Sequence, residues 1–345
     1  MMLMTVKGKI AELDAAAMTA ARERWDQLTK PLGALGKLEE IGVKLSGIQG
    51  TVYPSVARRA VVVMCGDHGV AAEGVSAYPA DVTGLMMQNF LKQKAAINVL
   101  AAQAGAEVLI VDVGSRVEEK WDGVLHRKVK AGTDNMAQGP AMTRDEVLQA
   151  IQVGVEVADD LKARGVEVVA LGEMGIGNTT PSAAMASVLI GYPVAALTGY
   201  GTGITVEEKP RKIAVIEKAI EVNRPDPADP LDVLAKVGGL EIAGLVGVIL
   251  GAAANKMAVV VDGVIAGAAA LAACRIESNA GCYLFASHLS QEPAHAVMLQ
   301  EIGLSPLLTL DMRLGEGTGA VLAMPLLEAA TRLVAEMATF ADLGL

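Results

Sequence analysis

Short apolar runs recur along the chain, each closed by glycine or a polar residue. They are residues 60–65 (AVVVMC), 108–113 (VLIVDV), 166–171 (VEVVAL), 193–197 (PVAAL), 257–261 (MAVVV) and 283–286 (YLFA). Most are rich in Val and Ile, and they do not alternate strictly with polar positions. That is the pattern of strands covered on both faces, as in a parallel sheet. Helical periodicity fills the intervals. Thr143 and Glu146 are spaced as a capping box, after which Val147, Ile151, Val155, Ala158 and Leu161 recur on one face. A second helix is predicted after Thr180, with Thr180 as cap and Pro181 in first position.

Alternating strands and helices predict an α/β fold: an open parallel sheet of about six strands with helices on both faces, over residues 51–290. The flanking stretches show no strand pattern. Residues 14–30 and 319–343 read as helices, so residues 1–50 with 291–345 are expected to pack together as a small helical domain. The proline-rich stretch 223–230 (NRPDPADP) reads as a loop inside the α/β part.

Composition narrows the picture. The 345 residues are 52% hydrophobic but only 3% aromatic, so the core is aliphatic with many glycine contacts. A net charge of −10 without a basic stripe argues against a nucleic-acid partner. Cys65, Cys274 and Cys282 are widely spaced, an odd number with no CxxC pair, and read as free thiols of a cytoplasmic protein. The N-terminus turns polar at once, unlike a signal peptide. The most apolar stretch, residues 242–254, is too short to span a bilayer, so no membrane association is expected.

In open α/β sheets, ligands sit outside the carboxyl ends of the strands. The unusual loops of this chain collect there: CGDHG with Asp67 and His68, GEMGIGNTTP with Glu173, TGYGTG, DG at Asp262, and SHLSQEPAH with His288, Glu292 and His295. GIGNTTP suits an anion, because its glycines free backbone N–H groups just before a helix N-terminus. A glycine-rich turn before a capped helix competes with that reading, but does not explain Glu173 upstream. The stretch lacks the third glycine of a dinucleotide fingerprint, and neither GxxxxGK[ST] nor GxSxG occurs. The histidines are not at zinc-site spacing, so no metal is expected. RLGEGTGA, residues 313–320, sets Glu316 between two glycines, which suits either a surface turn or a carboxylate that a ligand approaches closely.

Several long blocks resemble the nicotinate-nucleotide–dimethylbenzimidazole phosphoribosyltransferase family: KPLGALGKLE, MCGDHGV, GEMGIGNTTPSAAM, VLAKVGGLEIAGLVGVILGAA, DGVIAGAAALAAC, SHLSQEPAH and MRLGEGTGAVLAMPLLEAA. They run in order from about residue 30 to 330. The resemblance implies transfer of the phosphoribosyl group of nicotinate mononucleotide to the lower-ligand base of cobalamin, with inversion from β to α and loss of nicotinate. It implies a dimer, no metal and no cofactor. Glu316 matches the family's catalytic base and Glu173 a second carboxylate near the ribose. Gly175, Gly177, Asn178, Thr179, Gly203 and Lys212 match the phosphate and ribose positions. Leu314, Gly315 and Gly317 match the nicotinate side.

The departures lie near the acceptor pocket. Tyr200 stands where many relatives carry Arg, and Leu85 and Met86 stand where relatives commonly place Gln. Tyr78, Leu85, Met86 and Gln88 are therefore the expected acceptor pocket. Fewer polar contacts would also suit the family branch that activates phenol or p-cresol as a complex of two related chains, so homodimer and heterodimer both stay open. A non-catalytic, ligand-binding relative is the other alternative, opposed by retention of Glu173 and Glu316.

Overall fold

The computed structural model describes residues 2–344. One sheet holds β1 (Arg59–Gly66), β2 (Ala106–Gly114), β3 (Val124–His126), β4 (Val168–Met174), β5 (Ala258–Val261) and β6 (Leu284–Ala286), in the order β3-β2-β1-β4-β5-β6. Every neighbouring pair is parallel. The chain builds outward from β1 to β3, then crosses back and builds the other way from β4. The order therefore reverses between β1 and β4, where a crevice opens at the carboxyl ends.

The strands are apolar without alternation because both faces are covered. On β1, Met64 packs against Gly244 of the helix Leu240–Ala254, whereas Val61 packs against Gly317, at the start of the helix Thr318–Glu336. Side chains of opposite parity point to opposite faces, so these two helices lie on opposite sides of the sheet. The helix Leu240–Ala254 also meets the helix Arg144–Ala163 backbone to backbone. A Cβ on Gly154 would run into the carbonyl of Gly244, and one on Gly247 into that of Ile151.

The sheet corrects two sequence expectations. Residues 193–197 are not a strand: Val194–Leu197 is a short helix that Pro193 introduces, as the Ala-rich composition allows. The sixth strand is instead β3, three residues at the sheet edge, too short to leave an apolar run. In addition, β4 runs on to Met174, so Glu173 stands on the strand itself, opposite Met64 of β1.

The helix starts divide in the same way. Thr143 and Glu146 form the reciprocal capping box, with Thr143 Oγ1 accepting from Glu146 N at 3.2 Å and Glu146 Oε2 from Thr143 N at 2.7 Å. The second helix, Thr179–Ile190, begins one residue before Thr180, so Pro181 is third rather than first. Proline is tolerated there because first-turn amides have no intrahelical acceptor.

Helices from both ends of the chain, Ala15–Gln27, Lys37–Gln49 and Thr318–Glu336, pack around Trp25, Leu28, Val43 and Val334. The last helix stops at Glu336 rather than 343, because Thr339 leaves it to form a bridge with Leu28. Ile41, Leu45 and Ile48 join the main core beside the sheet. Thr318–Glu336 is long and apolar enough to cross a membrane by length and composition, but more than half of it is buried in this core.

Candidate active site

A cleft of about 610 Å³ opens at the carboxyl ends of β1, β4, β5 and β6. Of the residues singled out in the sequence, Tyr78, Met86, Glu173, Gly175, Asn178, Thr179, Gly203, Leu314, Gly315 and Glu316 line it. Leu85, Gln88, Gly177, Lys212 and Gly317 are not among its walls. Leu85 precedes Met86 on the helix Val82–Leu91, a step that turns it about 100° away, and it is 60% exposed. The cleft also takes in Arg313, His288, Ser290 and Glu292. No role follows for Arg313 from the sequence, although it opens the same motif as Glu316.

Glu316 sits in unusual backbone. Gly315, Glu316 and Gly317 have φ of 87°, 63° and 89°, three left-handed residues in succession. Glycine is at home there, but glutamate is strained. The turn lies tight on β4 and β1: a Cβ at Gly172 would strike the Glu316 carbonyl, and one at Gly317 would strike Val61. The Glu316 side chain is buried, and its Oε2 accepts from Ile97 N at 3.4 Å. Ile97 lies in the first turn of the helix Ala96–Ala104, whose positive end therefore faces the carboxylate. Burial raises the Glu316 pKa, and the Ile97 amide opposes the rise. Ile97 was invisible to sequence reasoning, since it contributes only its backbone.

Glu173 is another buried carboxylate of the cleft. Asn178 Nδ2 donates to its Oε2. Burial, and then the charge of Glu241, push the Glu173 pKa up to about 8, against the Asn178 hydrogen bond. Glu241 itself is fully buried and bonded to His68 Nε2 at 2.7 Å. Near neutral pH, Glu173 therefore carries its proton.

Two hydrogen bonds clamp the TGYGTG loop at Gly201, and a third ties together two residues packed behind it. Glu292 Oε1 accepts from Gly201 N at 2.8 Å, Arg313 donates to Gly201 O at 2.9 Å, and Lys212 Nζ donates to Thr179 Oγ1 at 2.7 Å. A Cβ on Gly201 would press on both Thr179 Oγ1 and Lys212 Nζ. Lys212 thus stands behind the loop and reaches the cleft through Thr179. Burial lowers its pKa to about 8, with Glu292 opposing and Lys209 assisting. Tyr200 is exposed, with Lys209 Nζ 5.2 Å from its ring centre.

The cleft thus brings together three buried carboxylates, Glu173, Glu292 and Glu316, and a glycine loop backed by Lys212. The profile of a family described as "Phosphoribosyltransferase" matches residues 10–345. The chain belongs to this family. It is 55% identical, over 97% of its length and 96% of the relative's, to the nicotinate-nucleotide–dimethylbenzimidazole phosphoribosyltransferase of Desulforudis audaxviator (strain MP104C). It is 53% identical, over 97% and 95%, to the protein of that name from Chloroflexus aggregans (strain MD-66 / DSM 9485). The crystal structure of the Thermus thermophilus enzyme of that name superposes with a TM-score of 0.91 at 47% identity, covering 96% of this chain and 99% of that one.

The other polar residues singled out at the strand ends of this phosphoribosyltransferase are held by neighbours. His295 is fully buried, accepts Ser290 N–H at 3.0 Å, and is lowered to about 3 by burial and by His288, so it is neutral. His288 Nδ1 lies 3.0 Å from Ser287 Oγ and 3.9 Å from Asp262 Oδ1. Asp67 accepts from Arg116 N at 2.7 Å. Among the described residues, no three His, Cys, Asp or Glu side chains are gathered as a metal ion would require.

Proposed function

We propose that this chain transfers the 5-phosphoribosyl group of nicotinate mononucleotide to 5,6-dimethylbenzimidazole or a similar base. The bond from C1′ to the pyridinium nitrogen breaks with its electrons passing to that nitrogen, so nicotinate leaves as a neutral ring. The acceptor nitrogen bonds C1′ from the opposite face, which inverts β to α. The proton displaced from the acceptor passes to Glu316. The leaving group needs no acid, so the burden falls on positioning and on that base.

One observation carries the reading. Glu316 lines the cleft with Oε2 held by the Ile97 amide, which leaves Oε1 for a proton. In this reading protonated Glu173 and Asn178 face the ribose. The glycine loop with Thr179 and Lys212 takes the phosphate, and Tyr78 and Met86 take the acceptor ring. The segment 51–290 then holds the phosphoribosyl group, and the helical unit of 1–50 with 291–345 supplies the base. The test is direct: incubation with nicotinate mononucleotide and dimethylbenzimidazole should release nicotinate and yield the α-riboside phosphate. No release would remove the reading.

The same reading includes a dimer. Tyr78 and Leu314 line the cleft and Leu85 lies on the helix Val82–Leu91; all three are apolar and more than half exposed, surface that suits cover by a second copy. Sedimentation showing an active monomer would refute it. A cytoplasmic setting is likewise proposed, supported by three free cysteines, one of them exposed.

A further inference from the structure

The helix that follows the base begins without a cap of its own. Its N-cap residue is Gly317, which has no side chain to accept the first-turn amides, as Ser, Thr, Asp or Asn would do. Asp262, just beyond the end of β5, supplies the missing acceptor from 55 residues away in sequence. Its Oδ2 accepts from Gly317 N at 3.1 Å and its Oδ1 from Ala320 N at 3.0 Å. The amides of Gly319 and Gly263 also point at it. Asp262 is buried at 2% exposure and holds the residue next to the strained Glu316. Gly319 leaves room for His288, since a Cβ there would collide with the imidazole.

We propose that Asp262 is a positioning residue for the general base: by holding the amides of Gly317 and Ala320, it fixes the left-handed backbone that aims Glu316 into the cleft. The idea rests on the role given to Glu316 above. Left alone, a glutamate relaxes to negative φ, and that would swing its Cα–Cβ bond off the reacting atoms. Displacement on the scale of 1 Å is enough to cost about 10²-fold in rate.

The experiment is a double-mutant cycle at pH 8 with nicotinate mononucleotide and dimethylbenzimidazole. Asp262→Asn keeps the volume but turns one acceptor into a donor. We expect its kcat to fall about 10- to 100-fold with the KM for nicotinate mononucleotide within about threefold of wild type. In a Glu316→Gln background the same change should cost less than about twofold, because a residue that acts only through Glu316 has nothing left to position. An unchanged kcat in the single variant, or equal losses in both backgrounds, overturns the proposal. If Asp262→Asn does not fold, amide hydrogen exchange of the wild-type protein decides. Gly317 and Ala320 should exchange at least about 100-fold more slowly than free chain, and unprotected exchange overturns the anchoring. A wild-type enzyme that releases no nicotinate would defeat the proposed reaction, while the exchange result would still judge the anchor.

Discussion

Glu173 Oε1 occupies the space where a side chain on Gly315 would begin. The two residues come from different parts of the chain, β4 and the turn before the last helix, yet one fits only because the other lacks a Cβ. The missing methyl group is what lets the two carboxylates share one cleft wall. Gly315 also has φ of 87°, so alanine there is strained as well as crowded. We expect Gly315→Ala to destabilise the protein by about 1–3 kcal/mol in denaturant unfolding, and to displace Glu173. Unchanged stability and activity would contradict this fit.

Glu316→Gln should lower turnover by ~10²-fold or more, with little change in nicotinate mononucleotide binding. Burial raises the pKa of Glu316, and only the ionised form accepts a proton. Wild-type kcat should therefore rise with pH through that pKa and level off above it. The glutamine variant should lose that limb. A limb that persists unchanged belongs to another group.

The elevated pKa of Glu173 has a consequence for stability. Its folded-state value of about 8 lies above the ordinary carboxyl value of 4.5. The folded protein holds the extra proton between those limits, so this contribution is full at low pH and is lost as pH rises through about 8. Glu173→Gln cannot lose a proton. Its stability should decline less than that of wild type from about pH 5 to 8, as measured by urea midpoints at each pH.

Lys212→Ala should weaken nicotinate mononucleotide binding by about 1.5–3 kcal/mol, and should hardly change binding of the phosphate-free nucleoside. Equal losses for both ligands would place Lys212 outside the phosphate site. Because burial lowers the lysine to about 8, mononucleotide affinity of the wild type should also weaken as pH rises past that value.

Met86 and Leu85 separate the acceptor predictions, because only Met86 lines the cleft. Met86→Gln should shift a competition between dimethylbenzimidazole and p-cresol towards the benzimidazole, since an unpaired amide against a plain ring is costly. Leu85→Gln should leave the product ratio where it was. A shift with Leu85→Gln alone would mean that the helix turns on binding.

Legibility from sequence followed physical range. The central strands were readable because burial on both faces removes polar positions. The edge strand β3 was not, since three residues carry no pattern. Residues 193–197 misled because an apolar run of five does not distinguish strand from short helix. Of the site, Glu173 and the glycine loop were legible as unusual residues at strand ends and Glu316 as a carboxylate set between glycines, while their roles were implied by the family resemblance alone. The depth of Lys212 behind Thr179, the exposure of Leu85 and the clamp of Arg313 on Gly201 were not legible, because they depend on which way a side chain turns. The Ile97 amide left no trace at all, since any residue but proline provides one.

The contact between the helices Arg144–Ala163 and Leu240–Ala254 works like a joint without a gasket. Gly154 and Gly247 put main chain against main chain, with no side chain between them to absorb a shift by changing rotamer. The second helix opens with Leu240 and then Glu241, whose charge helps to keep Glu173 protonated. A replacement that moves the backbone at Gly154 would therefore press directly on the backbone of Leu240–Ala254, the helix that carries Glu241. The acidity of Glu173 thus depends on the seating of a helix that lines no part of the cleft.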